Sequence, residues 1–136
     1  MRLLYLLFGV LFITLALPQN AEAKRPPKDV EQTQIVFDKM SHDFGTILRE
    51  RRKYNCVFTA ENVGQEPLVI LNVSTSCSCL KAHYLRRPIM PGESVYIRVT
   101  IEAEKMQEGV FHRVVEVSSN AGKSLLSVQG TTVKKH

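Results

Sequence analysis

Ser94-Val95-Tyr96-Ile97-Arg98-Val99-Thr100-Ile101-Glu102 decides how this chain reads. Val95, Ile97, Val99 and Ile101 alternate with Tyr96, Arg98, Thr100 and Glu102, so the stretch has an apolar face and a polar face at period two, as a half-buried β-strand does. Upstream, Tyr54 to Ala60 repeats the pattern with Tyr54, Cys56, Phe58 and Ala60 on one face. Leu68 to Val73 is apolar on both faces, which predicts a central strand. Ile35 to Phe37, Val110 to Ser118 and Lys123 to Val133 complete the set. Turn signals separate them at Asn62-Val63-Gly64, Pro91-Gly92-Glu93, Glu108-Gly109 and Asn120-Ala121-Gly122-Lys123. This predicts an all-β fold, an immunoglobulin-like antiparallel β-sandwich of about seven strands, with a barrel as the second architecture. Its core face is expected to carry Phe44, Phe58, Leu68, Ile70, Ile97, Val99, Val115, Val117, Leu126 and Val128. Phe111 joins them, although Arg113 interrupts the alternation as a bulge or an edge does.

The chain has 136 residues. Arg2 precedes an apolar run from Leu3 to Leu17, Pro18 breaks it, and Ala21-Glu22-Ala23 offers a small-x-small cleavage site. This is the pattern of a secretory signal peptide over residues 1–23, cleaved after Ala23, and the run is short for a membrane span. Lys24-Arg25-Pro26-Pro27-Lys28-Asp29 opens a flexible tether over 24–34, and residues 35–133 have the size of one sandwich domain. The expected location is periplasmic or secreted.

A net charge of +5 is spread over Arg49-Glu50-Arg51-Arg52-Lys53, Arg86-Arg87 and Lys134-Lys135. Nucleic acid is excluded as a partner by the export signal, the absence of Trp and the lack of aromatic residues among the basic ones. No nucleophile elbow, phosphate loop or zinc-protease motif is present, so the reading is of a non-enzyme that needs no cofactor.

Asp43-Phe44-Gly45-Thr46-Ile47, Phe58-Thr59-Ala60-Glu61-Asn62-Val63-Gly64, Pro67-Leu68-Val69-Ile70, Ser76-Cys77-Ser78-Cys79, Pro91-Gly92-Glu93, Gly109-Val110-Phe111 and Val117-Ser118-Ser119-Asn120 follow in that order. Together they resemble the bacterial domain-of-unknown-function 1573 family, common in exported proteins of Bacteroidetes and similar to Hydin-type immunoglobulin-like domains. The resemblance implies the fold and the exported setting, and no activity. Two departures stand out. Cys77-Ser78-Cys79-Leu80 replaces the family's usual Cys-Gly-Cys-Thr, which argues against a tight turn between the thiols, and Arg51-Arg52 occupies the place of a glycine turn.

The chemistry-bearing residues are Cys56, Cys77 and Cys79, an odd number for an oxidising compartment. In an extended strand Cys77 and Cys79 stand near 7 Å apart at their Cα atoms, so a bond between them requires a turn or strain, whereas Cys56 could reach either across the sandwich. Buried structural thiols, thiol redox and soft-metal binding to copper or zinc, with His83 and Met90 completing a shell, all remain open. The leading expectation is a non-catalytic exported module. It would recognise a protein or envelope partner through strand edges and the end loops Cys77 to Tyr84, Arg86 to Pro91 and Met106 to Gly109. The alternative is a thiol or metal-handling protein built on Cys77, Cys79 and Cys56.

Overall fold

The alternation in Ser94–Glu102 forms a strand whose Val95, Ile97, Val99 and Ile101 are buried. The computed structural model describes residues 33–136, so the expected signal peptide and nearly all of the tether lie outside the described residues. Eight strands follow in order: β1 (Ile35–Phe37), β2 (Ser41–Leu48), β3 (Lys53–Asn62), β4 (Ile70–Thr75), β5 (Leu80–Tyr84), β6 (Ser94–Glu102), β7 (Gly109–Ser119) and β8 (Gly122–Val133). One sheet runs β1-β3-β6-β5 and the other β2-β8-β7-β4, so β3 and β6 are central in the first and β8 and β7 in the second. The all-β sandwich is therefore as expected, with one added strand and one parallel pair: β2 lies parallel to β8, and every other pair is antiparallel.

Between the sheets lie Phe58, Leu68, Ile97, Val99, Ile101, Val115, Leu126 and Val128, all at or near zero exposure. Each such burial contributes about 1.5–3 kcal/mol. Phe111 is buried with them, as the alternation required, while Phe44 is only half-buried and Ile47 takes the place in the core that Phe44 was expected to fill. The cause is a bulge. Asp43 pairs with Gln129 and Thr46 with Thr131, so Phe44 and Gly45 together oppose Gly130, and the inward parity passes from Phe44 to Ile47. Gly45 holds the bulge at φ 65°, and its N–H donates to the Asp43 carboxylate at 2.7 Å. Asp43-Phe44-Gly45 is thus a bulge, its carboxylate held below the usual range by that N–H and by the Gln129 amide.

Two other expectations need correcting. Leu68 to Val73 is not a central strand: β4 begins at Ile70, lies at the edge of its sheet, and skips a register position at Leu71, whose side chain is 65% exposed. Leu80 to Tyr84 is an edge strand rather than loop. Asn62 is fully buried at the end of β3, where its amide donates to the carbonyls of Glu66 and Ile89 at 2.8 Å each and its oxygen accepts from Gly64 N–H at 2.9 Å.

Arg113 marks an edge. β4 leaves β7 after Thr75 pairs with Val115, so the first residues of β7 have β8 on one side and no strand on the other among the described residues. There the Arg113 guanidinium donates to the His112 carbonyl at 2.9 Å, closing an acceptor that would otherwise invite another strand.

Candidate functional site

All three cysteines are placed, and two of them meet. Cys77 and Cys79 form a disulfide with their Cα atoms 5.1 Å apart. The approach is shorter than an extended strand allows because residues 76–79 turn, closed by Leu80 N–H donating to the Cys77 carbonyl at 3.2 Å. A tight turn forms with Ser78 in place of glycine, because no positive φ is required of it. Cys56 is the free cysteine. It lies buried on β3 opposite Val99, so the expected alternative of a Cys56 bond to Cys77 or Cys79 does not form. Burial pushes the Cys56 thiol up to about 11.

The disulfide turn is the crossover from β4 of one sheet to β5 of the other, and hydrogen bonds fix it on both sides. Ser76 N–H donates to the Val114 carbonyl at 3.0 Å, and Val114 N–H donates to Ser76 Oγ at 3.0 Å. On the other sheet Glu102 N–H donates to the Cys79 carbonyl at 2.8 Å. Thr75 Oγ1 donates to the Cys77 carbonyl at 3.1 Å. Cys79 is 1% exposed and Cys77 half-buried, and Cys79 N–H lies 3.1 Å from Cys77 Sγ.

The same end of the sandwich gathers charge. Glu102, nearly buried, meets Lys81 Nζ at 2.7 Å and Lys105 Nζ, and these two ammonium groups, Lys105 first, lower its carboxyl to about 2. Arg49-Glu50-Arg51-Arg52-Lys53 and Lys134-Lys135, distant in sequence, come together here, with Lys135 N–H donating to Glu50 Oε1 at 3.0 Å. Arg52 takes φ 64°, a left-handed backbone at the position where the family resemblance places glycine.

A metal shell of Cys77, Cys79, His83 and Met90 does not assemble. His83 points to the outer face of β5, opposite to Leu80, and Met90 precedes β6, whereas Cys79 bonds to its last residue, roughly 27 Å of strand away. Among the described residues no group of three or more His, Cys, Asp or Glu side chains is placed to hold a metal ion.

Sequence reasoning missed a second feature, on the outer face of the first sheet. Val57, Arg98 and His83 stand in register across β3, β6 and β5, and Tyr96 lies beside them. With Tyr84 and Leu85 they line an open groove of about 590 Å³. Tyr96 is 66% exposed and Leu85 61%. The alternation places Tyr96 on the polar face, and only the neighbouring strands, whose order the sequence does not carry, reveal the apolar patch. Arg86 stacks over the Tyr84 ring at 5.6 Å and, with Arg98, makes the rim cationic.

Residues 35–132 match the family described as Protein of unknown function (DUF1573). No curated protein matches the chain. Among solved structures, one of a protein of unknown function from Porphyromonas gingivalis is similar at 20% identity with a TM-score of 0.65, over 79% of this chain and 51% of that one, so this chain spans about half of it. The ASH/PapD-like domain 7 of human CEP192 is similar at 9% identity with a TM-score of 0.65, over 88% of this chain and 99% of that one. The periplasmic chaperone SfaE is similar at 7% identity with a TM-score of 0.51, over 76% of this chain and 59% of that one. At these identities the likeness is one of fold.

Proposed function

Because the chain belongs to the DUF1573 family, whose description names no activity, we propose from its own geometry that it is a non-catalytic exported binding module acting on a protein or envelope partner. The observation that carries the reading is the contiguity of Val57, Leu85 and Tyr96 beside an unpaired edge. Outer faces of half-buried antiparallel sheets are usually polar, and a clustered apolar patch on one marks a contact surface. Among the described residues β5 pairs with β6 alone, so an extended segment of a partner can add to its outer edge and reach the groove with alternate side chains. Arg98 and Arg86 favour an acidic neighbour to the partner's apolar residues. The export reading rests on residues 1–23, whose pattern is that of a signal peptide.

The test is site-specific photocrosslinking in the native envelope. A photoreactive residue at Tyr96 or Leu85 is expected to give one discrete protein adduct, and the same residue at Gln129, on the outer face of the opposite sheet, to give none. Leu85→Glu combined with the Tyr96 probe should remove the adduct. Equal labelling from both faces, or none from either, overturns the proposal.

A further inference from the structure

We propose that the Cys77–Cys79 bond is a thiol-exchange site, at which the domain takes two electrons from a dithiol of a partner protein. This inference stands apart from the groove on the outer face. It rests on how the turn is held, on which sulfur is reachable and on the charge around it.

The bond contributes little to the fold. On chain-entropy grounds a closure between residues two apart stabilises the fold only roughly half as much as closure from Cys56 to Cys77 would. The turn has its own clamps: Ser76 to Val114 on one sheet, Cys79 to Glu102 on the other, and Thr75 Oγ1 on the Cys77 carbonyl. With the bond open, these hydrogen bonds still hold the two thiols beside each other, so opening and re-forming require no rebuilding of the sandwich.

The two sulfurs differ. Cys79 is 1% exposed while Cys77 is half-buried, so an incoming thiolate has access to Cys77 Sγ. Attack there forms a bond between the partner sulfur and Cys77 Sγ, breaks the Cys77–Cys79 bond and expels the electron pair onto Cys79 Sγ, which takes up a proton. The partner's second thiolate then attacks its own sulfur in the mixed disulfide and releases Cys77 as thiolate, which is protonated in turn. The partner leaves as a disulfide, two electrons and two protons poorer, and Cys77 and Cys79 end as thiols. The surroundings favour the released thiolates. Cys79 N–H sits 3.1 Å from Cys77 Sγ, a donor for the thiolate released there, and the Lys81 and Lys105 ammonium groups on Glu102 add positive charge at the same end of the sandwich.

Cys56 supplies an internal reporter, since a buried thiol held protonated does not alkylate while the domain is folded. In the full chain, graded dithiothreitol followed by alkylation is expected to label Cys77 while Cys56 stays unlabelled. With oxidised glutathione, Cys79→Ser should form an adduct at Cys77 about tenfold or more faster than Cys77→Ser forms one at Cys79. The proposal is overturned if wild-type Cys77 becomes open to alkylation only where Cys56 also alkylates. Equal adduct rates in two variants that keep Cys56 protected overturn it as well. The wild-type titration decides the matter if either variant exposes Cys56.

Discussion

The carbonyl oxygen of Gly45 lies 2.7 Å from the point at which a side chain on Gly130 would begin. The two glycines meet where β2 bulges against β8, and the Phe111 ring lies 2.9 Å from the same point on the core side. One residue bends, the other leaves the space for the bend, and Ile47 reaches the core as a result.

Gly130→Ala therefore places a methyl group against backbone on one side and a buried ring on the other. An overpacking cost of about 1–3 kcal/mol is expected, read as a lower urea midpoint at unchanged slope. A midpoint equal to wild type would show that the bulge yields freely.

Asn62→Leu is expected to cost about 2 kcal/mol, because it leaves the Glu66 carbonyl and the Gly64 N–H without a partner in a partly buried setting and takes from the Ile89 carbonyl the second of its two donors, the first being Leu68 N–H. Thermal unfolding of the variant against wild type measures it, and a shift within error would refute this account of the β3 end.

Arg52→Gly should do the opposite. The φ of 64° strains an L residue, and the 4.0 Å contact of Arg52 with Glu104 is exposed and adds little. Relief of strain, offset in part by the greater freedom of glycine in the unfolded chain, is expected to raise stability by about 1 kcal/mol. A lower denaturant midpoint would count against strain at this turn.

Acid unfolding should report Glu102. Its carboxyl is lowered from 4.5 to about 2 by Lys105 and Lys81, so the unfolded state binds the proton first as pH falls. The stability it gives is present above pH 4.5 and disappears as pH drops toward 2. Glu102→Gln is expected to flatten that part of the stability curve in a pH series of urea titrations, and an unchanged slope would mean that the lysine pair is not coupled to folding.

Much of the fold was legible because β3 and β6 keep period two on one buried face, broken in β6 only by Glu102 at its end, and β8 buries Leu126 and Val128 in the same rhythm. β2 was not, since the bulge at Gly45 moves the inward parity from Phe44 to Ile47 and destroys the pattern within eight residues. β5 is short, at an edge, and mixes Lys81 and His83 with Leu80, so it reads as loop. Leu71 looked buried by type and is exposed because β4 skips a register position there. The two thiols were visible from the start. Their pairing was not, because it depends on a turn whose clamps come from Val114 and Glu102, distant in sequence and adjacent only once both sheets have formed.

The strand that receives β1 has a further consequence. Ile35 pairs with Asn62 at one end of β3, while the crossover bearing Cys77 and Cys79 sits beyond Lys53 at the other, about 30 Å along the strand. The described chain therefore enters the sandwich at one pole of the molecule, and the sulfur pair, with the Lys81 and Lys105 ammonium groups on Glu102 nearby, stands at the opposite pole.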